Sequence, residues 1–173
     1  TAKTFSSERY SIWTMQSDYH NIPKINGYSQ AYGKKYIARD VKANKNNKTF
    51  SLDISQAYPT EAGINSWIRA YRLEKNSLII EDKFDLQNAK TVNQINFLTW
   101  GKIDTSKAGV VSIVINGSIY SLEYNKDDFN ISLETVKLDD KRLSNVWGNE
   151  IYKISLNAKN LKNKGIYKIT IKN

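Results

Sequence analysis

The sequence contains no cysteine and only one histidine, His20. The absence of cysteine excludes disulfide bonds and every metal site that is built on thiolates. A zinc site needs three or four ligands, so His20 can be at most one member of such a site. With 173 residues, the chain is nevertheless long enough to bury a sizeable core without covalent cross-links.

Several other signals of function are also missing from the sequence. No apolar run approaches the length of a membrane span, and no charged-then-apolar leader opens the chain. The sequence has no phosphate-binding glycine loop, no GxGxxG motif, and no GxSxG motif that would hold a nucleophilic serine. We therefore expect a soluble piece without a membrane span, either a mature chain or a fragment of a longer one.

What the chain does have is positive charge, with 26 Lys and Arg against 17 Asp and Glu, or +9. A basic surface favours anionic partners such as nucleic acid, acidic polysaccharide or an anionic membrane. The basic residues are scattered and no stretch reaches five like charges in a row, so we expect no nucleic-acid-binding tail. A solvated surface with excess lysine is the alternative interpretation.

Most of the chain alternates between apolar and polar residues with the period of a β-strand. Phe50, Leu52 and Ile54, for example, alternate with polar residues. Short connectors rich in Asn and Gly separate such segments, as turns require. The sequence therefore predicts an all-β fold, an antiparallel β-sandwich of about ten short strands. We expect a single domain over residues 1–173.

The clearest hairpin signal is Asn116-Gly117, which joins the apolar segment 110–115 to the alternating segment 118–124. The nearly continuous apolar character of 110–115 predicts a central strand that is covered on both faces. The only helix predicted is one or two turns near the start, with Ser6 or Ser7 as N-cap and Glu8 in the first turn.

Two tryptophans are candidates for ligand binding. Trp100 and Trp147 each precede a glycine at a predicted strand end. Exposed aromatic rings can stack on sugars, so both residues are candidate substrate-binding residues. Arg69, in contrast, lies in phase with Trp67 and Tyr71, which is consistent with a buried or stacked arginine. The favoured interpretation is an arginine paired with an acidic neighbour on the sheet.

Tyr19 adjoins His20, and a tyrosine and a histidine act together in some catalytic sites. Adjacent side chains on a regular strand point to opposite faces, so Tyr19 and His20 should not share a site if this segment is a regular strand. The residues on their own identify no catalytic group in this chain.

The segment around the histidine, residues 13–27 (WTMQSDYHNIPKING), resembles the C-terminal region of heparinase II/III-like polysaccharide lyases. The resemblance continues through residues 36–41, 52–59, 61–63, 66–69 and 77–84. It is weaker at residues 146–152. In that family a helical toroid packs against stacked antiparallel sheets, and the enzymes cleave uronate-containing polysaccharides by β-elimination. The resemblance implies that this chain is the β-sheet part of a bacterial lyase, exported to the periplasm or the extracellular space.

The resemblance also implies roles for individual residues. Family members often hold a structural zinc in the β-region, and on that pattern His20 is one zinc ligand while the others lie before Thr1. Arg9 lies where related sequences often have an arginine in the substrate cleft, which makes it a third candidate substrate-binding residue. The tyrosine and histidine that the family uses as base and acid would also lie upstream. The resemblance therefore implies that the chain alone has no catalytic residue, no bound zinc and no activity.

Two alternatives stay open at this stage. The chain could be a free-standing carbohydrate-binding module that uses Trp100 and Trp147, or a structural sandwich that only supports a missing helical domain. The identity of the glycan is also open, because heparan, chondroitin, hyaluronan and alginate all carry uronates.

Overall fold

The computed structural model of the protein describes residues 6–173. Within that range the strands are β1 (Pro23–Lys24), β2 (Arg39–Asn44), β3 (Thr49–Asp53), β4 (Ile64–Leu73), β5 (Ser77–Leu86), β6 (Gln94–Thr99), β7 (Lys102–Asp104), β8 (Val110–Ile115), β9 (Ser118–Tyr124), β10 (Phe129–Lys137), β11 (Glu150–Ala158) and β12 (Lys164–Lys172). One α-helix, α1 (Lys141–Trp147), and 3₁₀ turns accompany them, the turns being Ser7–Ser11, Trp13–Met15, Ser17–Tyr19, Ser55–Ala57 and Thr60–Ala62. No helix in the described range is long and apolar enough to cross a membrane.

The strands form two antiparallel sheets. The four-stranded sheet has the order β1-β6-β11-β10, and the eight-stranded sheet has the order β2-β3-β4-β5-β12-β9-β8-β7. Their facing side chains form one hydrophobic core, in which the Phe129 ring of the smaller sheet lies 4.8 Å from the Tyr167 ring of the larger one. The predicted antiparallel β-sandwich is therefore confirmed, because alternation along each strand places one apolar face toward the other sheet.

Aromatic side chains occupy the centre of this core. The ring of Phe84 lies 4.9 Å from that of Trp67 and 4.8 Å from that of Tyr167, measured between centroids. Gly165 of β12 pairs with Phe84 of β5, and a Cβ atom at Gly165 would lie only 2.8 Å from Phe84 Cζ. The glycine therefore makes room for the Phe84 ring within the sheet.

The turn at Asn26-Gly27 links the N-terminal segment to the rest of the fold. Asn26 is buried with φ +51°, and Gly27 has φ +84°. Asn26 Nδ2 donates to two backbone carbonyls, and its Oδ1 accepts from two backbone amides. These four partners are Ala62, Asn88, Lys90 and Thr91. Asparagine suits this position because it tolerates a positive φ and can both donate and accept.

The predicted hairpin is confirmed, but the burial of its first strand is not. Asn116 and Gly117 have φ +49° and +81° and join β8 directly to β9. Val111 and Ile113 of β8 are buried, whereas Val114 is 39% exposed. The prediction of a strand covered on both faces was wrong, because only the face toward the four-stranded sheet has a second layer.

The predicted short helical turn near the N-terminus is confirmed, as a 3₁₀ turn, but a second helix was not predicted. The segment at Ser7–Ser11 forms a 3₁₀ turn, with Glu8 in its first turn, and two further 3₁₀ turns follow it. The α-helix of the described range is α1, which we did not predict. Asp140 caps its N-terminus by accepting from the backbone N–H of Arg142, and Gly148 follows with φ +85°. Trp147 is therefore the last residue of a helix and does not lie at a strand end.

Candidate functional site

The predicted site residues Trp100, Trp147 and His20 line one cavity of about 380 Å³. Trp100 follows β6, Trp147 ends α1, and His20 precedes β1, so three segments that are distant in sequence converge here. We call this the aromatic cavity; its principal lining residues are Trp13, Tyr19, His20, Trp100, Leu143 and Trp147. The indoles of Trp100 and Trp147 are 39% and 47% exposed, which leaves both accessible to a ligand.

The N-terminal segment reaches the cavity as three successive 3₁₀ turns, separated by the extended residues Ile12 and Gln16 and followed by the extended residue His20. Asn21 fixes its position from both sides. The Asn21 side-chain oxygen accepts from the backbone N–H of Leu98 at 2.8 Å, and its backbone carbonyl accepts from Arg69 Nη1 at 2.9 Å. These bonds hold the segment against strands of both sheets.

Tyr19 and His20 line the same cavity, which corrects our expectation that they would not share a site. The expectation assumed a regular strand. Tyr19 instead ends a 3₁₀ turn and His20 is the extended residue that follows it, so the alternation of a strand does not apply. The ring of Trp13 meets that of Tyr19 edge-on, with centroids 5.2 Å apart and the planes inclined at 66°.

The hydroxyl of Tyr19 is held in a charged cluster beside the cavity. It donates to Glu134 Oε1 at 3.0 Å, and Lys153 Nζ lies 3.5 Å from Glu134 Oε2 and 4.8 Å from the centre of the Tyr19 ring. The hydrogen bond to the Glu134 carboxylate raises the pKa of Tyr19 above its ordinary value. Tyr19 therefore keeps its proton at neutral pH, which suits a hydrogen-bonding or packing role better than that of a base.

The ring of His20 is oriented by a hydrogen bond to the backbone. Its Nε2 lies 3.2 Å from the backbone carbonyl of Thr14. A carbonyl only accepts, so Nε2 carries the proton and Nδ1 holds the lone pair in the neutral ring. This arrangement is common for histidines that bind metals. However, residues 6–173 contain no group of three or more His, Asp or Glu side chains that could hold an ion, so they do not by themselves fit a zinc site.

A second cavity of about 630 Å³ lies on the other side of His20, which lines both. We call it the polar cavity; its lining includes Tyr10, Asp18, His20, Ser29, Gln30 and Tyr32. The rings of Tyr10 and Tyr32 stack with centroids 3.8 Å apart and planes inclined at 7°. Burial by itself would raise the pKa of Asp18, but hydrogen bonds from Ser29 and Lys24 outweigh it and keep that pKa below its ordinary value.

Arg9, the third predicted site residue, lies beside the polar cavity and not with the two tryptophans. Its Nη2 donates to the hydroxyl of Tyr10 at 2.6 Å, and its guanidinium lies 4.7 Å from the centre of the Tyr10 ring. Arg9 thus extends the Tyr10–Tyr32 stack with a positive charge. The structure brings His20, Trp100 and Trp147 together, whereas Arg9 contacts Tyr10 and does not line the aromatic cavity.

Three members of the aromatic cavity, Trp13, Tyr19 and Leu143, were not predicted as site residues. Trp13 and Tyr19 stand beside His20 in the sequence, and that proximity was the available signal. Leu143 belongs to the helix that the sequence analysis missed. Together these groups offer flat apolar surface bordered by polar atoms, which is the chemistry of a binding site.

No protein-family model matches the sequence, and no curated protein does either. Solved structures do match. A mutant of the heparan sulfate lyase HepC from Pedobacter heparinus superposes over 95% of this chain with a TM-score of 0.65 and 15% identity. A heparinase III with methylated lysines superposes over 95% with a TM-score of 0.67 and 16% identity. The predicted resemblance to such lyases is thus confirmed for the fold, and this chain spans about a quarter of their length, 26% and 25% respectively.

Proposed function

We propose that this chain is the β-sandwich domain of an exported polysaccharide lyase and that its aromatic cavity binds the sugar rings of an acidic glycan. The observation that carries the proposal is the convergence of Trp13, Trp100 and Trp147 on one open cavity. The lyase assignment draws its support from a fold shared with heparan sulfate lyases over 95% of the chain.

Sugar rings present apolar C–H faces and a rim of hydroxyl groups. The indoles supply surface for the faces, and the neighbouring polar cavity supplies acceptors and donors for the rim through Asp18, Ser29 and Gln30. Since His20 lines both cavities, a glycan that crosses it would meet indoles on one side and the Tyr10–Tyr32 stack with Arg9 on the other. The Arg9 guanidinium could there bind a uronate carboxylate.

The chemical step belongs, in this proposal, to residues outside the chain. β-Elimination needs a base that removes the proton next to the uronate carboxyl group, and the raised pKa of Tyr19 disfavours it for that role. We propose that a helical domain of the same protein supplies the base and the acid, while the β-sandwich holds the substrate.

We further propose that His20 is one ligand of a structural zinc site that is completed outside these residues. The hydrogen bond from Nε2 to the Thr14 carbonyl orients the ring and leaves Nδ1 for the metal. A zinc ion there would stabilise the segment that carries Trp13 and Tyr19. In a longer protein that includes this chain, His20→Ala should lower the zinc content measured by metal analysis, and an unchanged content would contradict this role.

The binding proposal is tested by calorimetric titration of the chain with uronate tetrasaccharides. Trp100→Ala and Trp147→Ala should each weaken binding by about fivefold, since stacking on an indole contributes roughly 1 kcal/mol. Phe50→Ala is the matched control, because Phe50 is 40% exposed on β3 and lines neither cavity. The wild-type chain should release no unsaturated uronate product.

Two results would contradict the proposal. If the wild type binds no acidic tetrasaccharide, the cavity is not a sugar site. If Phe50→Ala weakens binding as much as the tryptophan variants, binding does not depend on the aromatic cavity. Product formation by the isolated chain would instead contradict the assignment of catalysis to another domain.

A further inference from the structure

Positive charge is concentrated in one short part of the chain. Residues 34–48 carry six basic side chains and one acidic one, which leaves +5 of the chain's total of +9 within 15 residues. The six are Lys34, Lys35, Arg39, Lys42, Lys45 and Lys48. Only Lys34 and Lys35 are adjacent in the sequence, so the cluster contains no long run of consecutive like charges.

All six side chains are exposed, and no ion pair within residues 6–173 includes any of them. Arg39 Nε donates to the neutral Gln56 Oε1 at 2.8 Å, and Lys35 Nζ lies 4.9 Å from the centre of the Tyr36 ring. These contacts position two of the cations without neutralising them. Arg39 and Lys42 lie on β2, the last strand of the eight-stranded sheet, Lys45 and Lys48 lie in the turn that follows it, and Lys34 and Lys35 precede it. We call residues 34–48, at this open end of the sheet, the basic edge.

The basic edge follows the polar-cavity residue Tyr32 closely in the sequence. Tyr32 lines the polar cavity, and Lys34 and Lys35 follow two and three residues later. Lys35 in turn lines a depression of about 420 Å³ together with Gln56, the residue that Arg39 contacts. The polar cavity and the start of the basic edge are therefore joined by a short stretch of chain, which the hydrogen bond from Ala31 N–H to the Ala57 carbonyl fixes beside Gln56.

We propose that the basic edge binds the continuation of an acidic polysaccharide whose sugars occupy the two cavities. This inference rests on the proposed function of the cavities. A uronate chain carries a charge on every repeating unit and is long enough to reach successive cations, each of which adds an exposed ion pair. The edge favours a glycan over nucleic acid because the cavities it adjoins offer stacking and hydrogen-bonding groups for sugars. Affinity should therefore rise with glycan length.

The test compares two triple variants with equal net charge. Lys42→Gln, Lys45→Gln and Lys48→Gln together remove three charges from the basic edge. Lys102→Gln, Lys107→Gln and Lys126→Gln remove three exposed charges at or near the opposite end of the same sheet, where β7 is the last strand. Each protein is titrated with a uronate tetrasaccharide and with a long chain of the same glycan. Light scattering reports self-association.

The basic-edge variant should bind the long chain about tenfold more weakly, bind the tetrasaccharide with unchanged affinity, and stay monodisperse. The affinity of the control variant for the long chain should change by less than about twofold. Equal losses in both variants would overturn the proposal in favour of overall charge. Unchanged affinity with self-association would also overturn it, since the lysines would then only protect an edge strand.

Duplex DNA that competes as well as the glycan would overturn the choice of ligand. If the wild type binds no tetrasaccharide but its long-chain affinity still depends on the edge, the cavity proposal fails, and with it the inference that the edge extends a glycan held in the cavities; the edge would then bind the glycan by itself.

Discussion

Arg69 and Asp82 form a bidentate ion pair inside the core, with Nη2 2.6 Å from Oδ2 and Nε 2.7 Å from Oδ1. Their side chains are 2% and 0% exposed. Trp67 Nε1 donates to the same carboxylate at 2.8 Å, and Arg69 Nη1 reaches the carbonyl of Asn21. The pair thus joins β4 and β5 to the segment that forms the aromatic cavity, and the predicted pairing of Arg69 with an acidic neighbour is confirmed.

Removal of Asp82 should be strongly destabilising. Asp82→Ala leaves the Arg69 charge buried without a partner, which we expect to lower the free energy of unfolding by about 3–5 kcal/mol in urea denaturation. The control is Glu74→Ala, which breaks the exposed Arg72–Glu74 pair at 3.2 Å. That change should cost no more than about 1 kcal/mol. Similar costs for the two variants would contradict the role of the buried pair.

Asn26→Asp should also destabilise the fold, although the side chain keeps its shape. The substitution turns the Nδ2 donor into an oxygen that faces the carbonyls of Ala62 and Asn88. We expect a loss of about 2–3 kcal/mol in the free energy of unfolding. Asn116→Asp is the matched control, because Asn116 has a similar positive φ but is exposed. The free energy of unfolding of this control should stay within about 0.5 kcal/mol of the wild-type value. A loss in the control as large as that of Asn26→Asp would show that the positive φ, and not the hydrogen bonding of Asn26, causes the destabilisation.

Gly165→Ala should overpack the aromatic centre. The new methyl group would lie 2.8 Å from Phe84 Cζ and 3.0 Å from Cε1. We expect a loss of about 1–3 kcal/mol in thermal or urea unfolding. The double variant with Phe84→Leu should lose less than the sum of the single variants, because leucine leaves space for the methyl group. If the losses of the two single variants add up to that of the double variant, the Phe84 ring is not the cause of the destabilisation by Gly165→Ala.

The cap of α1 should titrate at low pH. Hydrogen bonds from the Arg142 side chain and backbone hold the pKa of Asp140 at about 2, below its ordinary 3.8. Because the pKa is lowered in the folded state, the ionised cap stabilises α1 above pH 3.8 and loses this effect as the pH falls toward 2. The NMR shift of the Arg142 amide should report a midpoint near 2. Asp140→Asn, which can still cap, should abolish this titration, and a midpoint near 3.8 in the wild type would contradict the bond to Arg142.

The sequence predicted the fold well where its signals are local. Alternation identified the strands, and Asn116-Gly117 identified a hairpin, because two residues that accept positive φ are enough for such a turn. The helix α1 was not predicted because its seven residues are too few to show a clear helical period. Its cap, Asp140, follows another aspartate, so the sequence does not single it out as the start of a helix. The short helical turn near the N-terminus was predicted, and it forms as a 3₁₀ turn.

For the candidate site, the sequence pointed to individual residues and not to their arrangement. Trp100 and Trp147 drew attention because each precedes a glycine, and His20 because it is the only histidine. That these three share a cavity follows from long-range hydrogen bonds, such as Asn21 with Leu98. Arg9 was grouped with the tryptophans, yet it lies beside Tyr10 and the polar cavity.

The sequence by itself determined the class of fold, because apolar and polar residues alternate with a two-residue period along a strand, and this pattern is visible in consecutive residues. It also determined that no disulfide exists and that His20 has no histidine or cysteine companion in the chain. Only the tertiary structure decided which tryptophans meet, that Tyr19 and His20 line the same cavity, and that the basic residues of 34–48 lie at the open end of a sheet. The physical reason is that such contacts depend on sheet order and on packing between segments far apart in the chain, and neither leaves a local pattern.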